Sequence, residues 1–410
     1  MTIEIRAVGP DRHDDAAAAI VAALGIAPNP AFVERIRALP ELDVRFAAYD
    51  GDEPVAGIGS FTFEMTAPGG PVRTAGLTMV GTLATHRRQG ILTRTMRKYL
   101  DEERARGSVI SALWAAEGAI YGRYGYGVAS HAYAIRAQRG HTMFHVPVVL
   151  DAKPRRVTDE AGLQLIPPIY DRVRTVTPGM LSRSPEWWRT RRLTDWDFRR
   201  AGGGELQRVV LERDGHAVAY ALYRHSPKFE HGAIGGTLTV VEAVGDTPAA
   251  TRQLWRYLFD VDLMEFVEAS NLPTDHVLLT AMREPRRLVA TLSDALWVRL
   301  VDLPRALAQR AYAAASELVL RVRDEFCTWN SGDWRIRAGA NGAQVDRIDG
   351  ASVAPDLTLE AKVLGGAYLG GVSFRAMQAA GLIEHSAPNA IERADAMFRS
   401  DASPWCPEIF

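Results

Sequence analysis

Residues 78–92, Thr-Met-Val-Gly-Thr-Leu-Ala-Thr-His-Arg-Arg-Gln-Gly-Ile-Leu, constrain the fold more than any other stretch of the chain. An apolar run enters a basic, glycine-containing turn, and an amphipathic helix opens at its end. Leu92, Met96 and Leu100 recur at i, i+4 and i+8, with Arg94, Arg97, Lys98 and Asp101 on other faces. The first amides of such a helix point outward and carry partial positive charge, so a phosphate can dock on them. Gly90 lets a ligand come close to the backbone, and Arg87 and Arg88 add full charges. An ordinary βα turn with solvated arginines has the same local pattern, and this segment alone does not separate the two readings.

A chain of 410 residues, at roughly 100–200 residues per domain, predicts two to four domains. Its 47% hydrophobic and 24% charged residues allow each domain to bury a core. The formal net charge of −1 provides no global attraction to nucleic acid or to an anionic membrane, so any anion site must be local. The start, Met-Thr-Ile-Glu-Ile-Arg, lacks the basic-then-apolar layout of a signal peptide, and no run of about 18 uncharged apolar residues occurs. A cytoplasmic protein with neither a membrane nor a nucleic-acid partner is expected. Cys327 and Cys406 are the only cysteines and have no metal-ligand spacing, which argues against structural zinc and a disulfide framework, and no metal is expected.

Along the chain the pattern is mixed α/β with hairpins, an α+β arrangement in place of strict βαβ alternation. A strand at 3–8 and a helix at 14–24 precede strands at 44–49 and 54–64, and a strand at 109–114 follows the basic turn and its helix. From about 150 the same order returns: a hairpin from Leu206 to Tyr223 around Asp214-Gly215, a strand at 238–244, and a helix through Leu254, Trp255 and Leu258. Leu238-Thr-Val-Val241 lies where Leu77-Thr-Met-Val80 lies in the first copy, but the loop after it has no Arg-x-x-Gly. This reads as a second copy that kept the scaffold and lost the anion site; two unrelated α/β domains with shared punctuation are the alternative. After Leu303-Pro304 a third, α+β region has strands near 318–323, 333–338 and 343–348, then helices at 359–370, 373–381 and 389–400. The expected domains are 1–150, 151–299 and 300–410.

Tyr121 follows a strand within Glu117-Gly-Ala-Ile-Tyr-Gly-Arg-Tyr-Gly-Tyr-Gly127, where a turn can present a phenol to a cleft and let it protonate a departing thiolate. Simple packing by Tyr121, Tyr124 and Tyr126 is the plainer reading. The glycines of this turn are in the wrong order for a dinucleotide fingerprint, and no GxSxG, GxxxxGK[ST] or HExxH occurs. Ser184-Pro-Glu-Trp-Trp-Arg reads as a capped helix start with core aromatics. The apolar end, Asp401-Ala-Ser-Pro-Trp-Cys-Pro-Glu-Ile-Phe410, is expected to dock, and docking can place the Phe410 α-carboxylate in a cleft.

These segments together resemble the GNAT acetyltransferase superfamily and, within it, the enhanced-intracellular-survival (Eis) family of bacterial N-acetyltransferases. Val80 to Leu92 is similar to the superfamily's acetyl-CoA loop, Gln/Arg-x-x-Gly-x-Gly/Ala: Arg87-x-x-Gly90 matches, while Leu92 replaces the final small residue. Glu117 to Gly127 looks like the Eis segment with the general-acid tyrosine, which falls on Tyr121. Leu296-Trp-Val-Arg-Leu-Val-Asp-Leu-Pro304 and the terminal phenylalanine extend the likeness over essentially the whole chain.

The resemblance implies tandem GNAT folds, the second degenerate and without cofactor, then a domain similar to sterol carrier proteins, assembled as a homohexamer. It implies acetyl transfer from acetyl-CoA to primary amines, including several amines of one aminoglycoside. Tyr121 and Phe410 are the catalytic pair it implies. The cofactor set is Val80, Gly81, Thr82, Arg87, Arg88, Gln89, Gly90, Ile91, Leu92, Thr93, Ala116 and Glu117. Met79, Trp114 and Glu408 are the substrate-side residues. Aminoglycoside-acetylating relatives carry an acidic residue just before the terminal phenylalanine; this chain has Ile409 there, with Glu408 one position earlier, which disfavours a polycation. A noncatalytic lipid- or protein-binding module, or an N-acyltransferase using a longer acyl-CoA, are the alternatives.

Overall fold

The structure, a computed structural model, describes residues 3–9, 13–25, 30, 42–230, 233–339, 342–348 and 353–410. The chain opens with β1 (Ile3–Ala7), helix α1 (His13–Ala23), β2 (Leu42–Asp50), β3 (Glu53–Ala67) and β4 (Gly70–Thr82). Helix α2 (Ile91–Ala105), β5 (Ile110–Trp114), the short α3 (Gly118–Tyr121) and β6 (Gly127–Val128) follow. Next come β7 (His131–Gln138), β8 (Lys153–Arg156), helix α4 (Asp159–Arg174), the hairpin β9 (Gln207–Arg213) and β10 (His216–Ser226), and a two-stranded ribbon, β11 (Phe229–Glu230) with β12 (Ala233–Ile234). Strand β13 (Thr237–Gly245), helix α5 (Pro248–Phe259), β14 (Phe266–Pro273) and β15 (Thr291–Asp294) complete that stretch. The last part holds β16 (Leu296–Leu300), β17 (Ser316–Arg323), β18 (Gly332–Gly339), β19 (Gly342–Ile348), β20 (Leu357–Glu360) and β21 (Ile383–His385), with helices α6 (Ala361–Ala367), α7 (Phe374–Ala379) and α8 (Ala390–Phe398).

Two compact units result: residues 1–130, 295–404 and 408–410 in the first, and 131–294 with 405–407 in the second. The first holds a seven-stranded sheet of order β1-β2-β3-β4-β5-β16-β6 and a five-stranded sheet of order β19-β18-β17-β20-β21. The second holds a seven-stranded sheet of order β15-β7-β14-β13-β10-β9-β8. In both seven-stranded sheets the one parallel pair, β4 with β5 and β13 with β14, lies beside a strand from the other copy's stretch of sequence: β16 pairs with β5, and β7 with β14. Two similar sheets are therefore present with exchanged strands, and the units cross the linear limits expected at 150 and 299. Within 359–370, expected to be helical throughout, Leu357–Glu360 extends the third sheet before the helix starts, because Leu357 and Leu359 alternate into its core.

Helix α2 covers one face of the first sheet. Met96, Tyr99 and Leu100 are fully buried against Ala75, Leu77 and Leu113. Burial of each such side chain contributes about 1.5–3 kcal/mol, which outweighs the helix's many exposed charges as the reason it docks here. In the second unit Leu254, Trp255 and Leu258 of α5 fill the corresponding core. Ser184 caps its helical turn through Trp187 N–H, and Trp187 and Trp188 are core residues.

Candidate active site

Strands β4 and β5 are paired at three positions, Thr74↔Ile110, Ala75↔Ser111 and Gly76↔Ala112. Beyond Gly76 they part. On its other edge β4 is bulged: Gly57 faces Gly81 and Gly59 faces Thr78, so Met79 and Val80 together oppose Ile58. Met79 has φ 51°, and the bulge takes Val80 out of the regular ladder.

The turn after β4 delivers the chain to α2 through two left-handed residues, Arg88 at φ 64° and Gly90 at φ 73°. Gly90 is the N-cap, no side chain caps the helix, and its first turn has no acidic residue. A Cβ on Gly90 would project into open space, so an anion can approach these amides unhindered. Arg87 braces the turn, with Nε donating to Thr82 O at 3.3 Å and Nη2 to Ala23 O at 3.2 Å, while Arg88 lies on the cleft wall.

A cleft of about 580 Å³ gathers Val80, Gly81, Thr82, Arg87, Arg88, Gly90, Ile91, Leu92, Thr93, Ala116, Glu117 and Tyr121. Gln89 and Met79 are not among its lining residues: Gln89 donates to Thr85 O at 3.4 Å, and the Met79 ε-methyl lies over Gly59. Ala23, Leu24, His86, Ile120, Arg123 and Tyr124 also line it and were not anticipated. Tyr124 was visible only as one of three tyrosines in the turn. Its hydroxyl lies 3.3 Å from Thr93 Oγ1, joining the turn to the first turn of α2.

Tyr121 ends α3 and is 9% exposed, more enclosed than a side chain merely presented by a turn. Burial, then Tyr124 and Glu117, push its phenol up to about 12. Its ring meets Tyr126 edge-on at 6.1 Å, and Tyr126 belongs to a buried chain in which Ser111 Oγ lies 2.7 Å from both the Tyr126 and Tyr99 hydroxyls. Arg299 of β16 holds the turn from below, donating to Tyr124 O and to Asp324 Oδ2, the latter at 2.6 Å. Gly125, at φ 81°, is required there, because a Cβ would overlap the Arg299 guanidinium.

Alternation divides the residues between the two faces of the sheet. Ala75, Leu77 and Leu113 face α2 and share a cluster with Tyr121. Gly76 faces the opposite way: a Cβ there would meet Phe63 and, at 3.1 Å, the Phe410 ring. Phe410 stacks edge-on against Phe63 at 5.3 Å. Trp114, in step with Ala112 on β5, donates its indole N–H to Glu408 O at 2.8 Å. Glu408 is buried, whereas Ile409 is 55% exposed. The terminal segment is thus docked over the point where β4 and β5 diverge. Among the described residues no group of His, Cys, Asp or Glu converges to hold a metal, and no helix is long and apolar enough to cross a membrane.

Family models match three stretches of the chain: an acetyltransferase (GNAT) domain at 4–129, a second at 179–300, and a sterol carrier protein domain at 303–407. Along its full length the chain is 38% identical to an uncharacterized N-acetyltransferase of Streptomyces coelicolor, covering 100% of both. It is 31% identical to the N-acetyltransferase Eis of Mycobacterium tuberculosis over 87% of this chain and 86% of that one. The chain belongs to the Eis family of GNAT N-acetyltransferases. The Eis1 structure of Mycobacterium abscessus superposes with a TM-score of 0.85 at 29% identity, covering 99% of this chain and 100% of that one. Membership in the Eis family makes this an acetyltransferase and sets aside the noncatalytic module.

Proposed function

We propose that this Eis-family enzyme transfers an acetyl group from acetyl-CoA to a primary amine by direct attack in a ternary complex. The end of the β4–β5 pairing at Gly76 supports the reading, because Tyr121 packs with the residues on the α2 side of this sheet and Phe410 lies against Gly76 on the other side. Acetyl-CoA supplies the thioester carbonyl, and the chain fits such a molecule. The uncapped amides of α2, with Arg88 beside them, receive a pyrophosphate. The edge at Val80 and Thr82 accepts an amide-bearing arm, and the Val80 N–H faces the developing oxyanion. Tyr121 keeps its proton across the working pH range and gives it to the thiolate that leaves. The Phe410 carboxylate attracts the ammonium form and, once attack on the thioester has acidified the nitrogen, accepts its proton through water.

The acceptor side favours an amine on an apolar or aryl group over a polycation. Phe63, Phe410 and Trp114 supply rings there, Glu408 is withdrawn from solvent, and Ile409 stands in place of a carboxylate. A homohexamer, as in the family resemblance, is part of the same proposal and is checked by sedimentation.

Release of free CoA, followed with a thiol reagent across arylalkylamines, polyamines, lysine peptides and aminoglycosides, tests the reading. Arylalkylamines should have a kcat/KM at least about tenfold above aminoglycosides, the discrimination expected from one apolar contact against one unpaired charge. An aminoglycoside at the top of the ranking would overturn the acceptor assignment, and no amine-dependent release with any acceptor would overturn the mechanism.

A further inference from the structure

The second unit repeats the divergent strand pair of the first. β13 and β14 run parallel from Thr237↔Phe266 to Val240↔Ala269 and then separate. Val240 to Ala243 border the opening on one side and Ala269 to Leu272 on the other. Trp405 and Pro407 fill it: the space left is about 20 Å³, room for a single water, against about 580 Å³ in the first unit's cleft. The occupant is the chain's own tail.

The tail is held by its backbone. Asn271 Nδ2 donates to Cys406 O at 2.6 Å, Arg192 Nη2 donates to Pro407 O at 2.7 Å, and Trp405 N–H donates to Pro178 O at 2.8 Å. The Trp405 indole N–H donates to Asn271 O at 2.7 Å, and its ring joins the core of Trp188, Tyr220 and Val244. Two consecutive carbonyls caught by two side chains fix the register of the segment as well as its presence.

Both side chains are specially placed. Asn271 has φ 58° at the point where the register of β14 shifts. Arg192 projects from a π-helical turn, Trp188–Leu193, and its Nη2 also lies 3.1 Å from Glu242. Glu242 is in turn bound by both terminal nitrogens of Arg183, at 2.9 and 2.7 Å, and by the Tyr220 hydroxyl at 2.6 Å. Keeping such a charge cluster dry carries a desolvation cost, and its product here is a guanidinium aimed at one tail carbonyl.

We propose that the second acetyltransferase fold is a clamp, in which the opening between β13 and β14, through Asn271 and Arg192, grips residues 405–407 and so sets the position of Phe410, three residues on. Asn271 and Arg192 are positioning residues for the acetyl transfer of the first fold. This inference rests on the role given to Phe410 above.

Cys406, 1% exposed inside the clamp, is a built-in reporter. Asn271→Ala, and the milder Trp405→Phe that keeps the ring but removes its N–H, should speed alkylation of Cys406, mapped by peptide mass, by about tenfold and a few-fold respectively. Cys327, buried in the other unit, should keep its protection. In parallel kcat should fall about tenfold for Asn271→Ala with the acetyl-CoA KM within about twofold, as displacement of one catalytic group predicts. Unchanged Cys406 protection in both variants would overturn the clamp, and faster alkylation with wild-type kcat would overturn its positioning role. A chain lacking only Phe410 separates the underlying reading: full turnover there would sink the catalytic role of Phe410, with the Cys406 result still standing for the grip.

Discussion

Tyr121 shows how a single residue's surroundings define its chemistry. A phenol is a useful acid only while it holds its proton, and burial, reinforced by Tyr124 and Glu117, pushes this one up to about 12. The protonated form therefore predominates across the ordinary pH range, and loss of the Tyr121 proton does not limit the proposed transfer there. Two outcomes follow from steady-state kinetics. Tyr121→Phe should lower kcat about 100-fold, the usual size of a general-acid contribution, with the acetyl-CoA KM changed by less than about threefold. The wild-type kcat should rise with pH as the amine loses its proton and show no descending limb through about pH 10. A decline in kcat with an apparent pKa near 8 or 9 would assign the acid to another group. The glycine-rich turn that carries Tyr121 was legible in the sequence because its pattern is local. The enclosure that raises the Tyr121 pKa was not, because it comes from packing with residues far off in sequence, Ala75, Leu77, Met96 and Leu113 among them.

At the scale of the element, the turn from Glu117 to Gly127 has little regular structure of its own and borrows rigidity from β16. Arg299 reaches Tyr124 O across 175 residues of sequence and pairs with Asp324 across 25. Arg299 and Asp324 are 0% and 3% exposed, so the pair is buried and solvent cannot replace either partner. Replacement of Arg299 by Met leaves the Asp324 carboxylate buried with backbone and Asn330 N–H donors but no counter-charge. The expected cost is about 3–5 kcal/mol, read as a lowered urea midpoint, and adding Asp324→Asn should recover part of it. An unaltered midpoint in Arg299→Met would show that the turn holds without the pair. The strand motif around Arg299 was readable, but no local pattern says that its one charge points inward at two distant carbonyl and carboxylate groups.

At the scale of the whole molecule, the two acetyltransferase copies were legible as a repeat, while their division into compact units was not. His131-Ala-Tyr-Ala-Ile-Arg-Ala-Gln138 alternates clearly enough to mark a strand, yet alternation names a face and not a partner, and its partners β14 and β15 lie more than a hundred residues downstream. The exchange makes the second unit's sheet depend on that segment, and the unit's response to acid follows from two buried groups. His276, packed edge-on to Trp255 at 5.4 Å, is pushed by burial from 6.5 down to about 4. The folded unit thus refuses a proton that the unfolded chain accepts, so stability is complete above about pH 6.5 and declines as pH falls towards 4. Burial alone would raise the Glu242 carboxyl, but Arg183, Arg192 and the hydrogen bonds from Arg183 and Tyr220 prevail and hold it near 2, below its ordinary 4.5. Its contribution is present above about pH 4.5 and is lost as pH falls towards 2. The two windows adjoin, and the urea midpoint of the second unit, followed by tryptophan fluorescence, should fall continuously from pH 7 downwards. His276→Gln should flatten the portion between about pH 6.5 and 4.5 and leave the decline below 4.5 intact. A variant whose midpoint falls as steeply as the wild type's across that upper window would remove His276 as the source.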